Sequence, residues 1–294
     1  MRIAVTGATG YIGRSFINLH KNDLEIVAVG RGEKPASLPS GVEYKQSDYN
    51  SKRLREVLKG CEAVVHLAYA MATKENEQGG IESYRSSMEA TENILEASSG
   101  LGIRNIIFAS SRLVYPNRSD IPFAEECTVK PTTYYGKSKV MMEQLCEQYN
   151  VEGKAMVKIL RFGQIIGADM SVRGLFSVFM EKAEIGEPLT LIGSNIRDYI
   201  YVKDTCKALA AALEHPSVSG IFNISMGKGI DNRNMAEAII KETGSSSQII
   251  VDTDSMQATG DRIVLDVTKA SEKLGFKCQY DTINKIVEDI LLER

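Results

Sequence analysis

"RIAVTGATGYIGRSFINLHK", Arg2 to Lys21, decides the fold. Ile3, Ala4 and Val5 suit a short buried strand, "TGATGYIG" is a glycine-rich turn, and Ile12, Phe16 and Leu19 then recur at helical spacing. The glycines therefore sit between a strand and the start of a helix. Gly7, Gly10 and Gly13 fall three apart, and each has a task if the turn holds a pyrophosphate. The first permits the tight turn, the second lets backbone N–H groups approach the phosphates, and the third lets the helix pack closely on the sheet. Glycines between a strand and a helix also make ordinary turns, so the position after the first strand carries the reading.

A second strand, "LEIVAVG", follows at the distance a βαβ unit requires. In NAD sites of this kind an acidic residue at its end takes the ribose 2′-hydroxyl. Here that place is Gly30, and Arg31 comes next. A missing carboxylate beside a guanidinium suits a 2′-phosphate. The cofactor expected is NAD or NADP, with Gly30 and Arg31 leaning to NADP; the competing reading is a solvated arginine in a turn.

Farther along, "EAVVHLA", "RNIIFAS" and "AMVKILRF" read as buried strands, separated by the amphipathic runs "MEATENILEASS" and "YYGKSKVMMEQLCEQY". Such alternation implies an α/β fold, a Rossmann-type doubly wound parallel sheet covered on both faces. After Arg161 the loops "GQIIGADMSVRGLF" and "IGEPLTLIGSNIRD" suggest a smaller C-terminal, substrate-binding lobe across the carboxyl ends of the strands. The expected division is a dinucleotide-binding domain over 1–162, rejoined by 195–227, and a lobe from 163–194 and 228–294.

The chain has 294 residues, 43% hydrophobic and 25% charged, enough for a sizeable core. A net charge of −3 argues against a nucleic-acid partner. Cys61, Cys127, Cys146, Cys206 and Cys278 are odd in number and scattered, as reduced thiols in a cytoplasm would be. His20, His66 and His215 lack metal-ligand spacing, so no metal is expected. No apolar run reaches membrane-spanning length, and "MRIAV" breaks at Thr6-Gly7, too soon for a signal peptide.

One further stretch, "PTTYYGKSK" (Pro131 to Lys139), places a phenol and an ammonium four residues apart. Among 12 tyrosines, about one such pair is expected by chance, so spacing alone selects nothing. Order does. "TGATGYIG", "HLA", "FASSRLVY", "YYGKSK", "RDYIYVKD" and "LDVTKASEKLGF" together resemble the extended short-chain dehydrogenase/reductases, and among them the NAD-dependent epimerase/dehydratase family. The resemblance implies a catalytic set of Tyr135, Lys139 and Ser111. Tyr135 has lysine four residues on, whereas Tyr134 has Ser138 there. It also implies cofactor contacts from Tyr11, Ile12, Asp48, Tyr49, Leu67, Ala68, Ser87 and Phe162, besides the glycines, Arg31, Tyr135 and Lys139. A lysine ammonium close to Tyr135 is expected to depress the phenol, because it favours the phenolate.

The same resemblance places Gln164, Arg197 and Arg262 with Ser111 around a substrate, Arg197 at its diphosphate. The bland reading of Arg197 is an ion pair with Asp198 or Asp204. Arg262 is the nearest substitute for a second clamp arginine that would stand just before Gly260-Asp261, where the chain reads "MQATGD". Ser87 stands for an asparagine and Gln164 for another. Arg112-Leu113 replaces the acidic pair that dehydratases use, so dehydration is not expected. The function implied is a nucleotide-sugar epimerase acting at C4. The alternatives are an NADPH-dependent reductase of a keto sugar or small carbonyl compound, and a dinucleotide-sensing regulator. A homodimer, binding a small-molecule substrate and neither nucleic acid nor membrane, completes the expectation.

Overall fold

Seven parallel strands form the central sheet. In sheet order they are β10 (Gly220–Ile224), β6 (Met156–Phe162), β5 (Asn105–Ser111), β4 (Ala63–His66), β1 (Arg2–Thr6), β2 (Glu25–Gly30) and β3 (Glu43–Gln46). The computed structural model describes residues 1–70, 77–169, 174–252 and 260–293, apart from the side chains of 77–80. Parts of two stretches weighed above, 170–173 and 256–259, lie outside the described residues.

Side chains along each strand alternate between two cores. Ile3, Val5, Ala28, Val65 and Ile107 enter one, and Ala4, Val27, Val64, Ile106 and Phe108 enter the other. That period of two, with both faces apolar, is why the strands read as continuous hydrophobic runs. On the first face lie α1 (Tyr11–His20) and α6 (Val202–Leu213), which supply Phe16, Ile17, Cys206 and Leu209. On the second lie α2 (Ser51–Leu58), α3 (Glu77–Gly100) and α4 (Tyr134–Val151), which supply Leu54, Ile94, Leu95 and Met142. Each large aliphatic side chain buried this way contributes about 1.5–3 kcal/mol before the entropy of ordering it. The expected doubly wound parallel sheet is the fold observed.

From β1 the chain first moves outward to β2 and β3, then crosses back to lay β4 against the other side of β1. The carboxyl ends of β1 and β4 therefore part at a switch point, where open α/β sheets bind ligands. His66, at the end of β4, is a core group. Its ring bonds Thr6 Oγ1 at 2.7 Å and Thr91 Oγ1 at 3.0 Å, and burial pushes its pKa down to about 3.

A smaller assembly closes over the carboxyl ends. Strand β9 (Ile196–Tyr201) pairs with β7 (Gln164–Ile166) and β13 (Arg262–Ile263) in parallel, and with β11 (Gly229–Asp231) antiparallel. Strands β8 (Leu189–Leu191) and β12 (Ile249–Val251) make a separate parallel ribbon. Helices α5 (Leu175–Glu184), α7 (Asn232–Thr243) and α9 (Ile283–Leu292) pack around these strands, and α8 (Thr268–Leu274) lies against β10. After β9 the chain returns to the main sheet through α6 and β10. No helix among the described residues is long and apolar enough to cross a membrane.

Candidate active site

Gly7 opens the turn after β1 at φ +68°, a left-handed backbone that favours glycine. A Cβ there would lie 2.7 Å from the Ala68 nitrogen, so the turn is pressed against the loop after β4. At Gly13 a Cβ would lie 2.3 Å from the Gly7 oxygen, which is why α1 can pack on its own turn. Gly10 is the N-cap of α1 and brings no capping side chain. The free N–H groups of the first helical turn are left for a ligand at the positive end of the helix.

Two joined hollows run from this turn. One, about 230 Å³, is lined by Arg31, Tyr49, Ala68 and Ser87; the other, about 440 Å³, passes Ile12 and Gly13 to Ser111, Tyr135, Lys139 and Phe162. They share Gly7, Gly10, Leu67 and Tyr69, and Tyr11 also lines the larger one. The bare glycine turn and this long groove across the switch point fit a nicotinamide dinucleotide. Tyr49 does more than line the groove, because its hydroxyl accepts from the Gly7 nitrogen at 3.3 Å. Ser87 accepts from Ala70 N at 3.0 Å and donates to Ser83 O at 2.8 Å, so its hydroxyl is spent on shaping the wall. Asp48 is apart from the rest. It is exposed, accepts from Asn50 N at 3.1 Å, and lines neither hollow.

Gly30 lines the smaller hollow beside Arg31, but a Cβ there would lie 2.6 Å from the Tyr44 hydroxyl, which itself donates to Gly32 O at 2.6 Å. Packing against Tyr44 therefore gives this glycine a role that requires no phosphate. Arg31 is also engaged: it donates to Ser86 Oγ at 2.7 Å and lies 5.5 Å from the centre of the Tyr49 ring.

At the other end of the groove, Thr133 caps α4 by accepting from Gly136 N at 3.0 Å. That cap fixes Tyr135 in the first helical turn, with Lys139 one turn on and on the same face. Tyr134 is 69% exposed, whereas Tyr135 lines the cleft. Ser111 ends β5, accepts from Leu113 N at 3.2 Å, and lines the cleft with the Tyr135 phenol, whose pKa it acts to lower. The serine thus has both of its readings, cap and cleft group.

The phenol is not depressed. Burial pushes it up to about 12; hydrogen bonding to Ser111 opposes this, and Tyr69 adds to the rise. Lys139 is 4% exposed and donates to Ala109 O at 2.7 Å, with its ammonium 5.7 Å from the centre of the Tyr135 ring. Burial lowers its pKa from the ordinary 10.5 to about 8, against a pull upward from Glu143. The expected lowering of the phenol by this lysine is therefore absent here, where the ammonium donates to the Ala109 carbonyl instead of to the phenol.

Three supports escaped the sequence reading. A Cβ at Gly136 would lie 2.2 Å from Leu113 O, so this glycine lets the start of α4 touch the segment after Ser111. Tyr69 meets Tyr135 edge-on at 5.0 Å and hydrogen-bonds Ser138 at 2.9 Å, bracing the phenol from the side. Beneath them, Arg161 of β6 grips Glu143 of α4 through Nε at 3.0 Å and Nη2 at 2.7 Å, a buried bidentate pair. The small residue between the tyrosine and the lysine was the one available signal for Gly136.

Gln164 lines the cleft and also a smaller pocket of about 80 Å³ that contains Arg197. The nearest acid to Arg197 is Asp261, at 3.9 Å, and not Asp198 or Asp204. Asp198 instead accepts from Leu265 N at 3.0 Å and Asp204 from Tyr280 N at 2.8 Å. Arg262 lines neither space, and its backbone N–H goes to Asn117 O at 2.8 Å.

Comparison with known proteins agrees with this layout. Residues 3–225 match the NAD dependent epimerase/dehydratase family. A dTDP-4-dehydro-6-deoxyglucose reductase of Escherichia coli is 28% identical over 98% of this chain and 97% of its own length. The crystal structure of a UDP-N-acetylglucosamine 4-epimerase from Bacillus cereus is 30% identical, with a TM-score of 0.87, covering 100% of this chain and 96% of that one. MoeE5, solved in complex with UDP-glucose and NAD, is 25% identical with a TM-score of 0.83, over 100% of this chain and 99% of its own. With a match over that much of its length, and a glycine turn and cleft where the fold puts them, the chain belongs to the NAD-dependent epimerase/dehydratase family.

Proposed function

We propose that the protein is a nucleotide-sugar epimerase that inverts C4 through a transient 4-keto sugar. The observation that carries this reading is Tyr135, lining the cleft together with Ser111 and Lys139, while Tyr134 stays exposed. A nicotinamide dinucleotide held by Gly7, Gly10, Gly13 and Lys139 supplies the hydride acceptor and donor. Tyr135 takes the proton from the C4 hydroxyl and later returns it. Ser111 hydrogen-bonds the same oxygen and keeps it against the phenol. With a pKa near 12, Tyr135 starts as the acid form at neutral pH, so the positive charge of a bound oxidised nicotinamide would have to lower it before it acts as base. Gln164 and Arg197 hold the nucleotide side of the substrate. Segments 163–194 and 228–294 form the lobe that closes on it.

NAD is the dinucleotide proposed. Packing against Tyr44 accounts for Gly30 without a phosphate, Arg31 already serves Ser86 and Tyr49, and the MoeE5 relative is described with NAD. A homodimer in the cytoplasm is proposed on the resemblance and composition alone.

A second reading is favoured by the Escherichia coli relative, a reductase of a keto sugar. Purified protein separates the two. Offered UDP-glucose or UDP-N-acetylglucosamine without added dinucleotide, an epimerase interconverts the C4 epimers with no net change in nicotinamide absorbance. Turnover that consumes reduced dinucleotide one for one, on a keto sugar only, would establish the reductase instead.

A further inference from the structure

Arg112 has no part in the scheme above, yet its position is costly. It directly follows Ser111, is 6% exposed and lines the cleft. Among the described residues its one side-chain hydrogen bond goes to a neutral acceptor, Gln164 Oε1 at 2.9 Å. Nη1 is buried without a partner, and among the described residues no carboxylate forms an ion pair with it. Arg197 carries a buried Nε in the same condition, lies beside the Tyr199 phenol, and among the described residues its only ion pair is the long contact of 3.9 Å to Asp261. The two guanidinia repel: burial first, and then the charge of Arg197, lower Arg112 to about 10. Between them sits Gln164, which lines both the cleft and the pocket of Arg197. Burying a cation without a counter-charge is unfavourable, and Gln164, bonded to Arg112 and lining the pocket of Arg197, marks the junction of the two spaces, where a single anion would relieve both.

We infer that Arg112 and Arg197 jointly bind one oxyanion of the substrate and that Arg112 sets specificity for it. The inference rests on the nucleotide-sugar reading. Two sources offer the same chemistry, the diphosphate and a carboxylate on the sugar ring, and a guanidinium fork suits either. Arg262, expected to be the second arginine of a clamp, lines neither space. Arg112 takes that role from a different segment of the chain.

The test is calorimetric titration of dinucleotide-bound protein with pyrophosphate, UDP-glucose and UDP-glucuronate, for the wild type, Arg112→Met and Arg112→Lys. Arg112→Met should weaken binding by about tenfold or more, the scale of one lost charge-assisted hydrogen bond. Its dinucleotide affinity should not change, and its unfolding midpoint should not fall, because an apolar chain replaces a buried unpaired cation. Arg112→Lys should recover part of the loss and keeps the test open if the methionine variant misfolds. Equal weakening of all three ligands makes the diphosphate the oxyanion; weakening confined to UDP-glucuronate makes it a ring carboxylate. Unchanged affinities in both variants overturn the inference and leave the nucleotide-sugar reading standing. Wild-type protein that binds none of the three overturns both.

Discussion

Around Tyr135 the polar groups arrive on one helical turn and one strand end, with Tyr135 and Lys139 four residues apart on α4 and Ser111 closing β5. Around Arg197 they arrive on three separate segments: Arg112 after β5, Gln164 after β6, and Arg197 within β9. The first end is written locally, because helical period and a cap fix which side chains share a face. The second is assembled at long range, through the pairing of β7 with β9 and of β5 with β6. Substitutions at the first end should therefore act on the rate of the chemistry, and those at the second on ligand choice.

Tyr135→Phe carries the largest expected effect. Only a hydroxyl is removed, and the ring keeps its edge-on contact with Tyr69. The turnover rate should fall by about 10²–10⁴ with dinucleotide affinity and unfolding midpoint near wild type. Tyr134→Phe serves as the control and should do nothing. A wild-type rate from Tyr135→Phe would mean that the wrong phenol has been chosen.

Gly136→Ala should break the contact between the two segments that carry Tyr135 and Ser111. Its Cβ would stand 2.2 Å from Leu113 O and 2.9 Å from Pro131 Cβ, both hard to move. Overpacking of this kind costs about 1–3 kcal/mol, read as a lower urea midpoint. A displacement near an ångström should also cost about tenfold or more in rate. Gly32→Ala, with nothing within 4 Å, should be neutral in both measurements. If the two alanine variants behave alike, close approach at Gly136 is not what aligns the pair.

Lys139→Met should separate stability from activity. The folded state holds the lysine at a pKa of about 8, below its ordinary 10.5, so between those values the unfolded chain binds more protons. Stability of the cofactor-free wild type should therefore rise as the pH climbs from about 8 to 10.5, and the penalty of the buried charge is fully present below pH 8. The methionine variant should be more stable at neutral pH by on the order of 1–3 kcal/mol and should lose that rise. Its dinucleotide affinity and rate should both drop. Urea titrations at neutral pH and near pH 10 check the sign, and a less stable variant would show that the bond to Ala109 O outweighs the burial of charge.

Arg31→Ala carries the smallest effect. With NAD as cofactor it should leave affinity within about threefold, since only the contacts to Ser86 and Tyr49 are lost. Titration with NAD and NADP reads it. NADP preference in the wild type that vanishes in the variant would restore the phosphate role for this arginine.

The sheet and the glycine turn were legible because each depends on neighbours in sequence, whereas Tyr135 was singled out by the order of motifs along the whole chain. Alternating apolar runs give strands buried on both faces, and the spacing of Gly7, Gly10 and Gly13 gives the turn. What could not be read depends on approach in space. Gly30 looked like a gap, and the Tyr44 hydroxyl from the adjacent strand explains it. The bland alternative for Arg197, an ion pair with Asp198 or Asp204, could not be set aside from sequence, yet those carboxylates accept from the Leu265 and Tyr280 nitrogens. Arg112 looked like the loss of an acid and became visible as an unpaired buried cation only once Gln164 and Arg197 stood beside it. The phenol's raised pKa likewise comes from burial, which no residue spacing reports.

The central claim is that oxidation and reduction at C4 both occur on one substrate molecule within one closed cleft, with Tyr135 moving the proton each time. The most direct measurement follows a nucleotide sugar deuterated at C4 and turned over in the presence of excess unlabelled reduced dinucleotide, with the label read by NMR. An epimerase of this design keeps the deuterium at C4 of the inverted product. Loss of the label to the free dinucleotide pool, or product that carries hydrogen from that pool, would contradict the account and make the protein a reductase.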